Sequence, residues 1–144
     1  MQEGKHLEAL GEVDAYIEES LQAPELVRRQ RLLMAALSLG MQHLVELWLH
    51  EARALKPGAM VKHEFFKAGE RRLLLRLAGA LTKDLQGLPD AGRILALARE
   101  IERGRDDIIY GAPLPSDREL REKVDLFFEL KRAVEAARSR HGSA

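Results

Sequence analysis

Arg105 stands where the surrounding pattern calls for an apolar side chain. Ile94, Ala98, Ile101, Arg105 and Ile108 follow one another at spacings of four, three, four and three, which is one stripe of a helix. A guanidinium carries its charge at any biological pH and is rarely buried without a partner. The pattern therefore asks for a carboxylate, a second subunit or an anionic ligand opposite Arg105. Asp106, Asp107 and Glu102 are the local carboxylates, and a cation near a helix C-terminus is favoured by the helix dipole. The functional alternative is an arginine that faces a cleft and grips a phosphate through its planar fork of donors. Tyr110, five residues on, adds a hydroxyl able to donate to a phosphate oxygen.

Histidines supply the other candidate chemistry. His43, Glu46 and His50, spaced by three and four, share one helical flank, and two imidazoles with a carboxylate can hold a transition metal. Bundle metal sites draw ligands from facing helices, however, and no second Glu-x-x-His occurs in the chain. The expectation is no metal and no cofactor, with these three side chains forming a polar flank beside Leu44, Leu47 and Trp48. His63, followed by Glu64, reads as an exposed histidine at the entry to a later helix. Ser20, Ser38 and Ser116 have no local base partner. The chain has no cysteine, which excludes disulfides and thiolate chemistry, and it lacks both a Gly-rich phosphate loop and a Gly-x-Ser-x-Gly elbow. Lys123 to Asp125 and Glu129 to Arg132 are charge runs expected on a solvated helix face.

Five helical segments position these groups. The first, about 5–21, carries Leu7, Leu10, Val13 or Asp14, Ile17 and Leu21. The second, about 25–55, carries Leu26, Leu33, Leu37, Gly40, Leu44, Leu47 or Trp48, and Leu55, and stops before Lys56-Pro57-Gly58. Gly40 on an apolar face is either a close helix crossing or a tolerated glycine. A third segment, about 64–86, carries Leu73, Leu74, Leu77, Leu81 and Leu85. The fourth, about 90–110, has Asp90 as N-cap and Gly111 as its stop. Ser116 and Glu119 form a capping-box pattern for the fifth, about 117–138, with Leu120, Val124, Phe127 or Phe128, Lys131 and Val134 on one face. Residues 139–144 read as a frayed tail.

At 144 residues the chain fits one domain, with its core in about 5–138. Its 23 basic and 23 acidic side chains cancel, so no global basic field marks a nucleic-acid binder, although a local patch can. Few aromatics, at 5%, and abundant Leu and Ala favour an all-α, up-and-down bundle of about five helices. With no apolar run near eighteen residues and no basic leader, the expectation is a cytoplasmic protein without a membrane span. The absence of asparagine, with 16 arginines against 7 lysines, fits a thermophilic source or a GC-rich genome.

Arg105-Asp106, with Tyr110-Gly111 after them, resembles the signature of the HEPN domains, small helical bundles marked by an arginine, a polar residue, a few more residues and a histidine. Asp106 matches the polar position and Tyr110 stands where many members have histidine. The layout, including the long second helix and the His63-Glu64 pair, is similar over about residues 5–138. The resemblance implies a homodimer whose paired motifs line a shared cleft that binds RNA or nucleotide. It implies Arg105, Asp106 and Tyr110 as catalytic positions of a metal-independent endoribonuclease, of the kind found in toxin–antitoxin systems. Arg105, His63 and Tyr110 become the substrate-binding set. It also implies a second possibility, a non-catalytic partner of a small nucleotidyltransferase. Tyrosine as a residue type is a poor base at neutral pH, so binding is expected ahead of cleavage.

Overall fold

In the computed structural model, which describes residues 3–142, the chain runs through six α-helices: α1 (Glu3–Leu21), α2 (Gln30–Glu51), α3 (Glu70–Ala80), α4 (Ala91–Glu102), α5 (Arg105–Tyr110) and α6 (Arg118–Gly142). Short 3₁₀ turns at Leu26–Arg29, His63–Lys67 and Leu85–Gly87 link them. No strand forms among the described residues, and the fold is an all-α helical bundle.

Helix α2 is the axis. Leu33, Met34, Leu37, Met41, Leu44, Val45, Leu47, Trp48 and Leu49 are all buried, and they cover most of its circumference rather than one stripe. A helix apolar on nearly every side must be surrounded, and α1, α4, α5 and α6 all pack on it. The Leu26–Glu51 segment is also long and apolar enough to cross a membrane, but 72% of that window lies buried inside the bundle. Gly40 settles as a crossing point. A methyl group there would meet Phe127 Cε1 of α6 at 2.6 Å and Val13 Cγ1 of α1 at 2.9 Å, so three helices converge on its missing side chain.

Several expected boundaries move. On α1 the inward stripe is His6, Leu10, Val13, Ile17 and Ser20, while Leu7 is exposed. The stripe therefore begins one residue earlier than the apolar pattern suggests, with a histidine in it. The expected third helix is cut short. Leu81 is extended and pairs with Leu55 in an isolated antiparallel bridge, with Lys56 N donating to Ala80 O and Thr82 N to Ala54 O. That bridge ties the end of α2, where Arg53 is left-handed, to the end of α3. The expected fourth helix breaks at Arg103-Gly104, because Gly104 takes φ 72°, a left-handed conformation that costs glycine little. Asp90 precedes α4 but is itself left-handed and makes no side-chain cap bond.

The last helix departs from its expected face in two ways. Leu130 rather than Lys131 is buried, and Lys131 reaches out to Asp14 at 2.6 Å. Lys123, expected in solvent, is buried and donates to the carbonyls of Glu100 and Arg103 at the end of α4. It thereby supplies donors to a helix end that would otherwise leave carbonyls unpaired. Burial lowers the Lys123 pKa from its ordinary value. Ser116 Oγ accepts from Arg118 N, while Asp117 reaches across to Val27 N at 3.1 Å. The helix continues past Ser139 to Gly142, so the expected tail is largely helical; residues 143–144 lie outside the described residues.

Candidate functional site

The break at Gly104 starts a new short helix with Arg105 in its first position. Asp106 and Asp107 follow in the first turn, where carboxylates are favoured by the helix dipole. Ile108 anchors this helix in the core, and Gln30 holds its far end. Gln30 is buried. Its Nε2 donates to Ile108 O at 3.0 Å and Ala112 O at 3.2 Å, and its Oε1 accepts from Leu114 N at 2.8 Å. Arg31 adds a bond to Gly111 O. A side chain at Gly111 would clash with the Asp107 carbonyl, so glycine is required where the chain leaves α5, though in extended rather than left-handed geometry.

Arg105 is largely enclosed, with 17% of its side chain exposed. Its Nη1 donates to Asp106 Oδ1 at 3.0 Å, and its Nε is buried with no hydrogen-bond partner. The other Asp106 oxygen accepts from Lys67 Nζ. Lys67, and after it Arg105, hold the Asp106 carboxyl below the usual carboxylate range. A carboxylate so held is a counter-ion and a poor proton acceptor, which argues against a catalytic role for Asp106.

Arg105 and Asp106 line an open cleft of about 610 Å³ together with His63, Glu64, Lys67, Arg72, Arg76 and Tyr110. Four fixed cations therefore face two carboxylates, in a chain whose overall charge is zero. Arg72 and Arg76 are four apart on α3 and so share a face, and Arg76 lies over the Phe65 ring at 5.8 Å. Tyr110 stands at the cleft with 78% of its surface exposed. An adjoining recess of about 300 Å³ shares Lys67, Arg105 and Asp106 and adds Arg99 and Arg103.

His63 differs from its expected free, exposed state. Its Nδ1 lies 2.7 Å from Glu102 Oε2, and Glu102 is buried and also accepts from Ser38 Oγ at 2.8 Å. His63 N donates to Gln42 Oε1 at 3.0 Å, which fixes the turn that carries the ring. In the neutral tautomer that donates Nδ1–H to this carboxylate, Nε2 is left as the ring's acceptor. The sequence offered Glu102 only as a partner for Arg105 and Ser38 only as a serine without a local base, and it gave no sign of Gln42. Glu102 lies four residues after Ala98 and one after Ile101, and a carboxylate so close to a buried stripe was the signal available.

The metal alternative also changes membership. His6, on α1, joins Glu46 and His50 with one ligand atom each within 4.8 Å of one another, while His43 instead pairs with His6 through Nδ1–Nδ1 contact at 2.9 Å. His6 supplies, from a facing helix, the side chain that the His43, Glu46 and His50 pattern lacks.

The chain matches no protein-family model, no curated protein and no solved structure.

Proposed function

We propose that this protein is a HEPN-like module that binds single-stranded RNA, phosphate first, in the cleft around Arg105. The observation that carries the reading is the gathering of Arg105, Lys67, Arg72 and Arg76 from three separate elements around one opening, with His63 beside them. A neutral chain spends four cations on one surface only against their mutual repulsion, and an incoming polyanion relieves it. The buried Arg105 Nε lacks a partner, which also suits an arginine that awaits an acceptor. A second copy is part of the proposal. Tyr110 beside the cleft and Leu32 and Leu39 on the outer side of α2 are exposed apolar surface that isologous pairing would cover.

In this reading the proton acceptor of metal-independent cleavage is His63, rather than Tyr110 or Asp106. The 2′-oxygen attacks the adjacent phosphorus while its proton passes to His63 Nε2. The bond from phosphorus to the 5′-oxygen breaks, and that oxygen leaves as a hydroxyl after taking a proton from water or the Tyr110 hydroxyl. Arg105 holds the non-bridging oxygens, and Glu102 keeps the ring oriented.

Anisotropy of a labelled single-stranded RNA tests the binding. Three or four phosphate contacts require log K to fall with log salt at a slope of about −2 to −3. Salt-independent affinity, or no binding at low salt, would count against the cleft. In a gel assay with chelator, the wild type should cleave slowly and His63→Ala should not cleave. Tyr110→His should be faster by up to about 10²-fold, since a second group able to exchange protons near neutrality is then present.

A further inference from the structure

The molecule has a second cluster of chemistry-bearing side chains away from the basic cleft. His6 projects from α1 into α2, where His43, Glu46 and His50 occupy successive turns of one flank. His6 is fully buried, Glu46 is 2% exposed, and His43 is 6% exposed. Three imidazoles and a carboxylate are an unusual filling for the seam between two core helices, where apolar side chains would pack without desolvation cost.

The orientation of each ring is specific. His6 Nδ1 meets His43 Nδ1 at 2.9 Å, so one ring donates and the other accepts. His6 Nε2 points the other way, 3.8 Å from Glu46 Oε2, and the His6 and His50 ring centres are 5.1 Å apart. The Nε2 atom of His50 is buried with no hydrogen-bond partner. Glu46 Oε1 is engaged separately, by Val61 N at 3.3 Å and Gln42 Nε2 at 3.4 Å, which leaves Oε2 turned toward the two imidazoles.

We infer that His6, Glu46 and His50 form a zinc site that joins α1 to α2, with His43 as the group that orients His6. Zinc takes nitrogen ligands at about 2.0–2.1 Å and carboxylate oxygens at about 2.0–2.2 Å. A tetrahedral arrangement then needs ligand atoms about 3.3 Å apart, and the three atoms already lie within 4.8 Å of one another. A ligating histidine typically donates its second ring N–H to a fixed acceptor, and with zinc on His6 Nε2 the 2.9 Å contact would have His6 Nδ1 donate to His43 Nδ1. Two imidazoles and one carboxylate leave a fourth position for water, the composition of a borderline-soft divalent site rather than of a calcium or magnesium site. The expectation of no metal rested on the lack of a ligand from a facing helix, and His6 removes that objection.

The site is also joined to the cleft. Glu46 bonds Gln42, and Gln42 bonds the backbone N–H of His63.

The test uses untagged full-length protein, dialysed against chelator and then titrated with zinc against a chromophoric competitor. One zinc per chain is expected, with a rise in Tm of about 5–10 °C at a hundredfold excess over Kd. His50→Ala and Glu46→Gln should each weaken zinc binding by about 10²-fold or more while the metal-free fold, read by circular dichroism, persists; His63→Ala, in the basic cleft, should keep zinc. Cobalt in place of zinc should give the visible bands of a four- or five-coordinate ion in the wild type and lose them in His50→Ala. Absence of stoichiometric zinc in the folded wild type would overturn the inference. So would equal affinity in folded His50→Ala and Glu46→Gln, or loss of zinc in His63→Ala.

Discussion

At the level of single residues, two polar side chains interrupt apolar stripes, and both mark places where chemistry gathers. Arg105 was visible in the sequence because the residues around it keep a clean helical period. His6 was not, because Leu7 beside it offered an equally apolar-looking start to α1, and it was His6 that turned inward. Partners were harder still. Glu102, Ser38 and Gln42 lie 39, 25 and 21 residues from His63, and nothing local links them; only folding brings them to one point. Asp106 was legible as a partner of Arg105 but not as a counter-ion shared with Lys67. That sharing has a consequence. Asp106 competes with any incoming phosphate for two cations, so Asp106→Asn should tighten RNA binding. For an exposed pair the gain is about two- to five-fold. The folded pKa of Asp106 is depressed, so its contribution to stability is in place above the ordinary value of 3.8 and is lost as pH falls through the lower folded value. The effect of the substitution on affinity should therefore be flat between about pH 5 and pH 8. Weaker binding by Asp106→Asn, measured by anisotropy at neutral pH, would show that the carboxylate supports the ligand instead of competing with it.

At the level of elements, all five expected helical segments exist, since each rests on a long apolar period that tertiary packing reinforces. Their interruptions were not legible. The break at Gly104 could be guessed from glycine only with the knowledge that Lys123 waits to satisfy the carbonyls it exposes. The shortening of α3 depends on a bridge between Leu55 and Leu81, a contact across distant segments. The six residues of α5 are too few to be stable alone, so their geometry depends on the helix they lie against. Gln30 is the clearest single link. Gln30→Leu would leave Leu114 N, Ile108 O and Ala112 O without that partner inside the bundle. The expected loss is about 2–4 kcal/mol, the scale of one or two buried polar groups left unpaired. Urea denaturation would measure it, and RNA affinity should fall with it because the α5 segment loosens. A loss under about 0.5 kcal/mol would place Gln30 among ordinary surface changes and remove it as the anchor of the motif.

Across the whole molecule, charge separation matters more than charge balance. Equal numbers of acids and bases conceal a surface on which Lys67, Arg72, Arg76 and Arg105 collect while a second, buried cluster holds His6, His43 and His50. The central axis α2 serves both. Its Ser38 and Gln42 support the His63 ring and turn, and its Glu46 and His50 face His6 one or two turns further on. A helix buried over most of its circumference is a suitable frame for two sites because its inward side chains cannot drift independently. The central claim is that Arg105 binds phosphate. The most direct measurement is the affinity of Arg105→Ala for single-stranded RNA, compared with wild type by anisotropy at low salt with chelator present. Circular dichroism and the urea midpoint check that the variant is folded. The account predicts a loss of affinity of about ten- to a hundredfold, the worth of a charged hydrogen-bonded contact. Unchanged affinity in a folded Arg105→Ala protein would contradict it and leave Arg105 as the structural partner of Asp106.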